Sequence, residues 1–270
     1  MTRHSTRSKI PSPYCALGAA LLSGSLALAQ EDASLVRPLD RRFTYIEESL
    51  HGAKPGHFEI EQWATWKHET EADRGFDRLD FKTEIEYGIS KNLHFAIDLV
   101  EWHWSDNAAE EATKYDLTAA ELKWRLLDPR TDLVGLAYKT EIGLGPHMLE
   151  WENVVIVDKI LERWELAYNL MVGAGWEGEK LFEFEDREGE IRQTAGVSYE
   201  VDPTLFVGGE LLYEIPLPDW RSGGRENLFL GPNVAWRGHE WALTATPLFL
   251  LNGGDDEPRF QLRFIFEIDF

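Results

Sequence analysis

The chain has almost no cysteine. Cys15 is the only one in 270 residues, so no disulfide framework and no thiolate metal site is available to it. Positive charge is scarce as well: 27 Lys and Arg stand against 48 Asp and Glu, for a net charge of −21. Without a basic face the chain does not read as a nucleic-acid binder. Mean hydropathy is negative and no helix-length apolar run occurs beyond the N-terminal region, which excludes a multi-helix membrane protein. A transmembrane β-barrel survives this test, because only every second residue of its strands must be apolar. Familiar catalytic patterns are missing too: there is no H-E-x-x-H, no G-x-S-x-G, no P-loop and no G-x-G-x-x-G after a strand. The eight histidines (His4, His51, His57, His68, His94, His103, His147 and His239) show no compact ligand spacing. No cofactor and no metal is therefore expected from linear motifs.

What is present begins with an export signal. Arg3, Arg7 and Lys9 form a positive start, residues 16–28 are apolar or small, and Ala27-Leu28-Ala29 is an A-x-A cleavage site. Residues 1–29 read as a cleaved signal peptide, which carries Cys15 away with it. Residues 30–55 show no sustained period and read as an N-terminal segment in the periplasm or folded into the barrel end. Residues 56–270 read as the barrel itself.

From His57 onward the period is two. Twelve strands are predicted, at 57–67, 76–89, 93–104, 115–127, 133–144, 152–161, 164–177, 190–201, 204–214, 226–237, 241–251 and 260–270. Each is about as long as the 9–11 residues that cross a bilayer at a tilt, or slightly longer. In the last, FQLRFIFEIDF, Phe260, Leu262, Phe264, Phe266, Ile268 and Phe270 share one parity, and only Ile265 breaks the polar one. Strand 152–161 is the least regular, with apolar residues on both faces. Connections alternate between short ones (SKN, DPRTD, LER, DP, GHE) and longer ones such as SDNAAEEATK and EGEKLFEFEDREGE. Short periplasmic turns, long outer loops and an even strand count characterise an outer-membrane barrel. The predicted fold is all-β: a transmembrane antiparallel up-and-down barrel of about 12 strands.

Aromatic residues gather near the strand ends. Trp66, Trp102, Trp104 and Trp176 fall at the outer rim, and Trp124, Trp164, Trp236, Trp241 and Phe270 at the inner one. Two such girdles are expected where a barrel wall meets lipid headgroups.

Two stretches carry a resemblance. AKPGHFEIEQW (53–63) resembles an opening strand of the type "PKG…E-x-EQW", and DRLDFKTEIEYGISKNLHFAIDL (77–99) resembles a hairpin of the type "TE-x-EYG[IV]T-x-x-L". Both are similar to an uncharacterised family of outer-membrane barrels, and the second is loosely similar to the phenol meta-pathway barrel proteins. The resemblance implies an outer-membrane barrel of transporter type and carries no catalytic residues. A terminal Phe after alternating aromatics also resembles an outer-membrane sorting signal, which implies the barrel-assembly machinery as a partner.

The inward parity is unusually charged. Glu59, Glu61, Asp80, Lys82, Glu84, Glu86, Glu121, Lys123, Arg125, Lys139, Glu141, Glu165, Arg192, Glu200, Glu210, Arg263 and Glu267 are the expected lumen-lining residues. A basic residue turned to lipid at mid-membrane costs about 2–4 kcal/mol, so these rows must face inward. They either pair into a network that props a closed interior, or line a narrow water path whose acidic excess favours a small solute or cation. Twelve strands lie between the filled small barrels and the open porins, so strand number permits both.

One motif suggests a different class. In HWSDN (103–107) the pair His103 and Ser105 resembles the His-x-Ser site of outer-membrane lipid hydrolases. Their parity follows Leu93, Phe95, Ile97 and Leu99, which would put them on the lipid side, with Asp116 as a conceivable orienting carboxylate. The acidic stretches GGDDE (253–257) and EFEDREGE (183–190) offer carboxylates to Ca²⁺ but lack a recognisable loop pattern, and read rather as solvated outer loops that divalent ions could bridge to lipopolysaccharide phosphates. Outer-membrane lipid and lipopolysaccharide are thus expected partners.

A lipid-solvated barrel has a simple signature. The purified chain is expected to need detergent and to migrate faster on a denaturing gel unboiled than boiled. Monodispersity without detergent and a single gel position would exclude the barrel.

Overall fold

The computed structural model describes residues 41–180, 182–221 and 223–270, all within one compact unit, Pro38–Phe270. The signal peptide and the first part of the segment expected at 30–55 lie outside the described residues. No helix occurs among those described.

The strands are β1 (Phe58–His68), β2 (Asp77–Ser90), β3 (Leu93–Asp106), β4 (Glu111–Tyr115), β5 (Thr118–Leu127), β6 (Gly135–Leu144), β7 (Met148–Leu161), β8 (Trp164–Lys180), β9 (Glu183–Asp202), β10 (Leu205–Pro218), β11 (Asn227–Arg237), β12 (Trp241–Asn252) and β13 (Phe260–Asp269). Sequence neighbours pair antiparallel, except that β4 and β5 both pair with β3, and β1 pairs with β13 from Glu59↔Asp269 to His68↔Phe260, which closes the barrel. Among the described strands only short β4, at the rim of the ring, keeps an unpaired edge.

β4 and β5 are two halves of one predicted strand. Both pair with β3, β4 along Trp102–Asp106 and β5 along Leu93–Asp98. Between them Asp116 N donates to Glu101 O at 2.9 Å and Glu101 N to Leu117 O at 2.8 Å, so the wall is continuous through a bulge. The barrel thus has twelve staves.

Two of the expected long loops are mostly strand. EGEKLFEFEDREGE extends β8 and β9 into a hairpin of 17 and 20 residues, longer than a bilayer crossing requires. The other, SDNAAEEATK, forms the β3–β4 hairpin. On β11 and β12 the pairing skips from Leu230↔Phe249 to Val234↔Ala245. Pro232 and Pro247 lie in that gap, and neither has an N–H for the ladder.

Period two is visible in burial. Along β5, Ala119, Glu121, Lys123 and Arg125 are buried while Leu122, Trp124 and Leu126 are exposed. The outer surface is a belt of exposed apolar side chains, including Leu166, Tyr168, Leu170 and Val172 of β8. All nine expected girdle residues (Trp66, Trp102, Trp104, Trp124, Trp164, Trp176, Trp236, Trp241 and Phe270) lie on the outward parity or at its rim.

Inside the barrel lies the chain's own N-terminal segment. Phe43, Thr44 and Ile46 are at most 1% exposed. Phe43 and Ile46 pack with Ala167, and Tyr45 packs against Leu212, Phe229 and Leu248. Apolar residues on both faces of β7 follow from this filling: Val154 and Ile156 point inward and join Ala137 and Met171 in a buried cluster. Ile265, the odd residue of β13, is likewise fully buried. Gly196 faces Phe43 and Ile46, where a Cβ would collide with both.

The segment turns into β1 through Lys54-Pro55-Gly56-His57. His57 N donates to Lys54 O at 2.9 Å, and Gly56 has φ of +82°. Pro at the second position and Gly at the third are what a type II turn requires.

Gly196→Leu is expected to overpack this socket, at a cost of about 1–3 kcal/mol. Urea titration in detergent should show the lost stability, while the unboiled gel shift persists because the wall itself is intact.

Candidate functional site: a lumen with an inserted segment

An irregular segment has no ladder to satisfy its own N–H groups, and inside a barrel it has little water. Wall side chains do this instead. Glu210 accepts from Thr44 N at 2.9 Å and from Tyr45 N at 2.7 Å. Asn169 accepts from Glu47 N at 2.6 Å, Asp158 from Ser49 N at 2.6 Å and Glu86 from Ala53 N at 2.7 Å. Within the segment, Glu48 accepts from Arg42 N at 2.9 and 3.1 Å.

Charges fasten the segment as well. Arg41 Nη2 lies 2.8 Å from Glu61 Oε1, and Arg41 Nε lies 2.5 Å from Glu267 Oε1. Arg42 meets Glu165 at 2.9 Å and stacks over Phe206. Glu47 reverses the polarity, binding Lys123 at 3.2 Å and Lys139 at 3.1 Å. These partners come from β1, β5, β6, β8 and β13, so the segment touches the wall on several sides. Most lie in the half of each strand nearest the short turns. That half is filled.

The other half holds space. A cavity of about 440 Å³ is lined by the top of the segment (Thr44 to Glu47) and by Lys67, Arg78, Lys82, Arg192 and Arg263 together with Asp80, Glu101, Asp116, Glu141, Glu150 and Glu152. A second, of about 310 Å³, shares Glu150, Glu152 and Arg192 and reaches Glu188, Glu190, Glu214 and Glu257 towards the long-hairpin rim. Both signs occur on both sides of the bore. Lys67 and Arg78 pair with Asp80 on β1 and β2, and Arg192 pairs with Glu190 on β9, where Glu150, Glu152 and Glu188 add further carboxylates from β7 and β9.

All seventeen expected lumen residues point inward, and they divide between the halves. Glu59, Glu61, Glu86, Lys123, Arg125, Glu165, Glu200, Glu210 and Glu267 belong to the filled half. Asp80, Lys82, Glu141, Arg192 and Arg263 line the cavity. Glu84, Glu121 and Lys139 lie at the boundary: Lys139 bridges Glu121 at 2.7 Å and Lys82 bridges Glu84 at 2.8 Å. Sequence reasoning missed Arg41, Arg42, Glu47 and His51, because a segment without periodicity offers no parity to read. It also missed Trp63, which lies on the inward parity of β1 with Arg41, Lys82 and Arg263 over its ring.

The expectation for His103 and Ser105 needs correcting. Register along β2 shifts between Thr83 and Glu84, so that Asp98 opposes Glu84 but Val100 opposes Thr83. Leu99 is the extra residue, and the parity of β3 inverts above it. His103 and Ser105 consequently face the lumen, opposite Asp80 and Arg78. Asp116 does hold His103 Nδ1, at 2.8 and 2.9 Å. No hydrogen bond joins His103 to Ser105, and neither faces the lipid that a surface hydrolase would act upon.

A family model described as a family of unknown function (DUF6662) matches residues 165–263. Among solved structures, the COG4313 outer membrane channel from Pseudomonas putida F1 aligns with a TM-score of 0.59 at 14% identity, covering 87% of this chain and 100% of that one. The β domain of the Bordetella autotransporter BrkA aligns with a TM-score of 0.53 at 10% identity, covering 80% and 100%. No curated protein matches the chain significantly. At these identities the likeness establishes the fold, that of an outer-membrane β-barrel. The residue-level resemblance to an uncharacterised barrel family agrees with both findings.

Glu210→Ala should strip acceptors from two buried N–H groups, each worth about 1–3 kcal/mol when left unsatisfied. Trypsin should then cut after Arg41 and Arg42 several-fold faster than in the wild type, with the gel shift of the folded barrel retained. Unchanged cleavage would mean that Glu210 does not hold the segment.

Proposed function

We propose that the chain is an outer-membrane channel that passes a small polar solute, favouring cations over anions, and that the N-terminal segment closes it. The supporting observation is the division of the lumen. A charged cavity of about 440 Å³ lies on one side of a floor made by residues 44–47, and that floor is attached only by hydrogen bonds, ion pairs and apolar contacts. A barrel propped purely for stability has no use for a cavity above its filling.

The balance of charge supports the same reading. The excess of carboxylates along Glu150, Glu152, Glu188, Glu190 and Glu214 supports cation preference. The name of the Pseudomonas putida structure, an outer membrane channel, agrees with a transport role.

Recording in planar bilayers tests this. The wild type should give small cation-selective steps, and Gly196→Leu or Glu210→Ala should enlarge them by loosening the floor. Silence in the wild type and in both variants, with the barrel demonstrably folded, would overturn the channel.

A further inference from the structure

The geometry points to a divalent-metal site that ties the inserted segment to the closing seam of the barrel, formed by His51, Glu59, Glu61 and Glu267. Glu59 and Glu61 are on β1. Glu267 is on β13 and directly opposite Glu61 in the register. His51 comes from the inserted segment. All four are buried, the three glutamates to 0% exposure.

Distances distinguish this group from an ordinary acidic cluster. His51 Nε2 lies 3.4 Å from Glu59 Oε1, 3.5 Å from Glu61 Oε1 and 3.6 Å from Glu267 Oε2. A tetrahedral ion with metal–N and metal–O bonds of about 2.0–2.2 Å separates its ligand atoms by roughly 3.3–3.6 Å. The four donor atoms all lie within 4.8 Å of one another. A protonated imidazole would sit differently. It would draw one carboxylate to about 2.7–2.9 Å in a charge-assisted hydrogen bond, whereas His51 stands nearly equidistant from three.

Unsatisfied atoms point the same way. Among the described residues, both oxygens of Glu59 and His51 Nε2 have no hydrogen-bond partner. Glu267 is held by Arg41 Nε alone, and beyond the 3.4 Å approach of His51 no described residue meets the fully buried Glu59 carboxylate. With the imidazole neutral, as ligation would require, the three carboxylates and Arg41 carry an excess of two negative charges, which a divalent ion would cancel.

The surroundings hold ligands in place as a metal site needs. Glu61 receives Arg41 Nη2 at 2.8 and 3.0 Å and Trp63 Nε1 at 2.6 Å. Ligation through Nε2 puts the imidazole proton on Nδ1. In this structure Arg41 Nη2, which can only donate, lies 3.3 Å from Nδ1, so Nδ1 accepts and the proton is on Nε2; ligation would move that proton and turn Arg41 wholly to the carboxylates. Two neighbouring carboxylates are already engaged and do not compete: Glu84 with Lys82 and Glu86 with His94. One nitrogen and three oxygen donors suit a first-row transition dication, with Zn²⁺ the natural four-coordinate probe. Sequence spacing hides the site, because its donors lie at positions 51, 59, 61 and 267.

The site stands whether or not the barrel conducts, so binding is the readout. Full-length protein in detergent, stripped with a chelator, is titrated with Zn²⁺ and, separately, with Co²⁺. One equivalent per chain is expected, with the intense visible absorption of tetrahedral Co²⁺. Glu59→Gln, which keeps shape and removes charge, and His51→Ala should each weaken binding at least tenfold and lose that absorption. Asp255→Asn with Asp256→Asn, in an outer loop, should change neither. Heat modifiability reports that every variant is folded. The proposal falls if the folded wild type binds no stoichiometric metal, or if binding and the Co²⁺ spectrum survive Glu59→Gln and His51→Ala.

Discussion

The constraint on which this structure depends is the need of peptide N–H groups for acceptors in a place with little water. Strands meet it by pairing with each other, and closure through β1 and β13 joins the twelve staves into one ring. A coil threaded inside the barrel has no such recourse. Glu210, Asn169, Asp158 and Glu86 supply the acceptors that a sheet would otherwise provide. A carboxylate suits this task because its oxygens can take several N–H bonds at once, and each bond is charge-assisted. The same constraint accounts for much of the carboxylate excess in the short-turn half of the lumen.

Burying so many carboxylates would be unfavourable without counter-charges. The segment and the wall exchange them in both directions, Arg41 and Arg42 towards wall glutamates and Glu47 towards wall lysines. Residues 41–54 and the strands are therefore complementary in hydrogen bonding, in charge and in shape, with Gly196 leaving room for Phe43 and Ile46. Complementarity of this sort, without a covalent link beyond the turn into β1, is what the proposed closing role of the segment asks for.

Most of the architecture was legible from period and loop length. The twelve staves, their inward and outward parity and the girdle positions follow from alternation, since a barrel wall repeats one local rule along its whole length. The misreadings are equally physical. A single extra residue, Leu99, inverted the parity of β3 and moved His103 and Ser105 from the lipid side to the lumen. Parity counting cannot see a bulge that leaves composition unchanged. The EGEKLFEFEDREGE stretch reads as a loop because it is mostly charged and its few apolar residues, Leu181, Phe182 and Phe184, set up no sustained alternation. A hairpin standing clear of the bilayer needs no apolar face, and backbone pairing alone extends β8 and β9.

The sequence by itself determined that a closed antiparallel barrel forms and, away from the bulge at Leu99, which parity of each strand faces its interior, because alternation is a nearest-neighbour property written along each strand. Only the tertiary structure decided what that interior contains. Residues 41–54 carry no period, and their partners lie far along the chain, 219 residues away for Thr44 and Arg263 and further still for Arg41 and Glu267. Whether Glu61 and Glu267 would meet each other, a basic side chain from the segment or an ion between them depends on where an aperiodic stretch comes to rest. That position is set by closure of the whole ring.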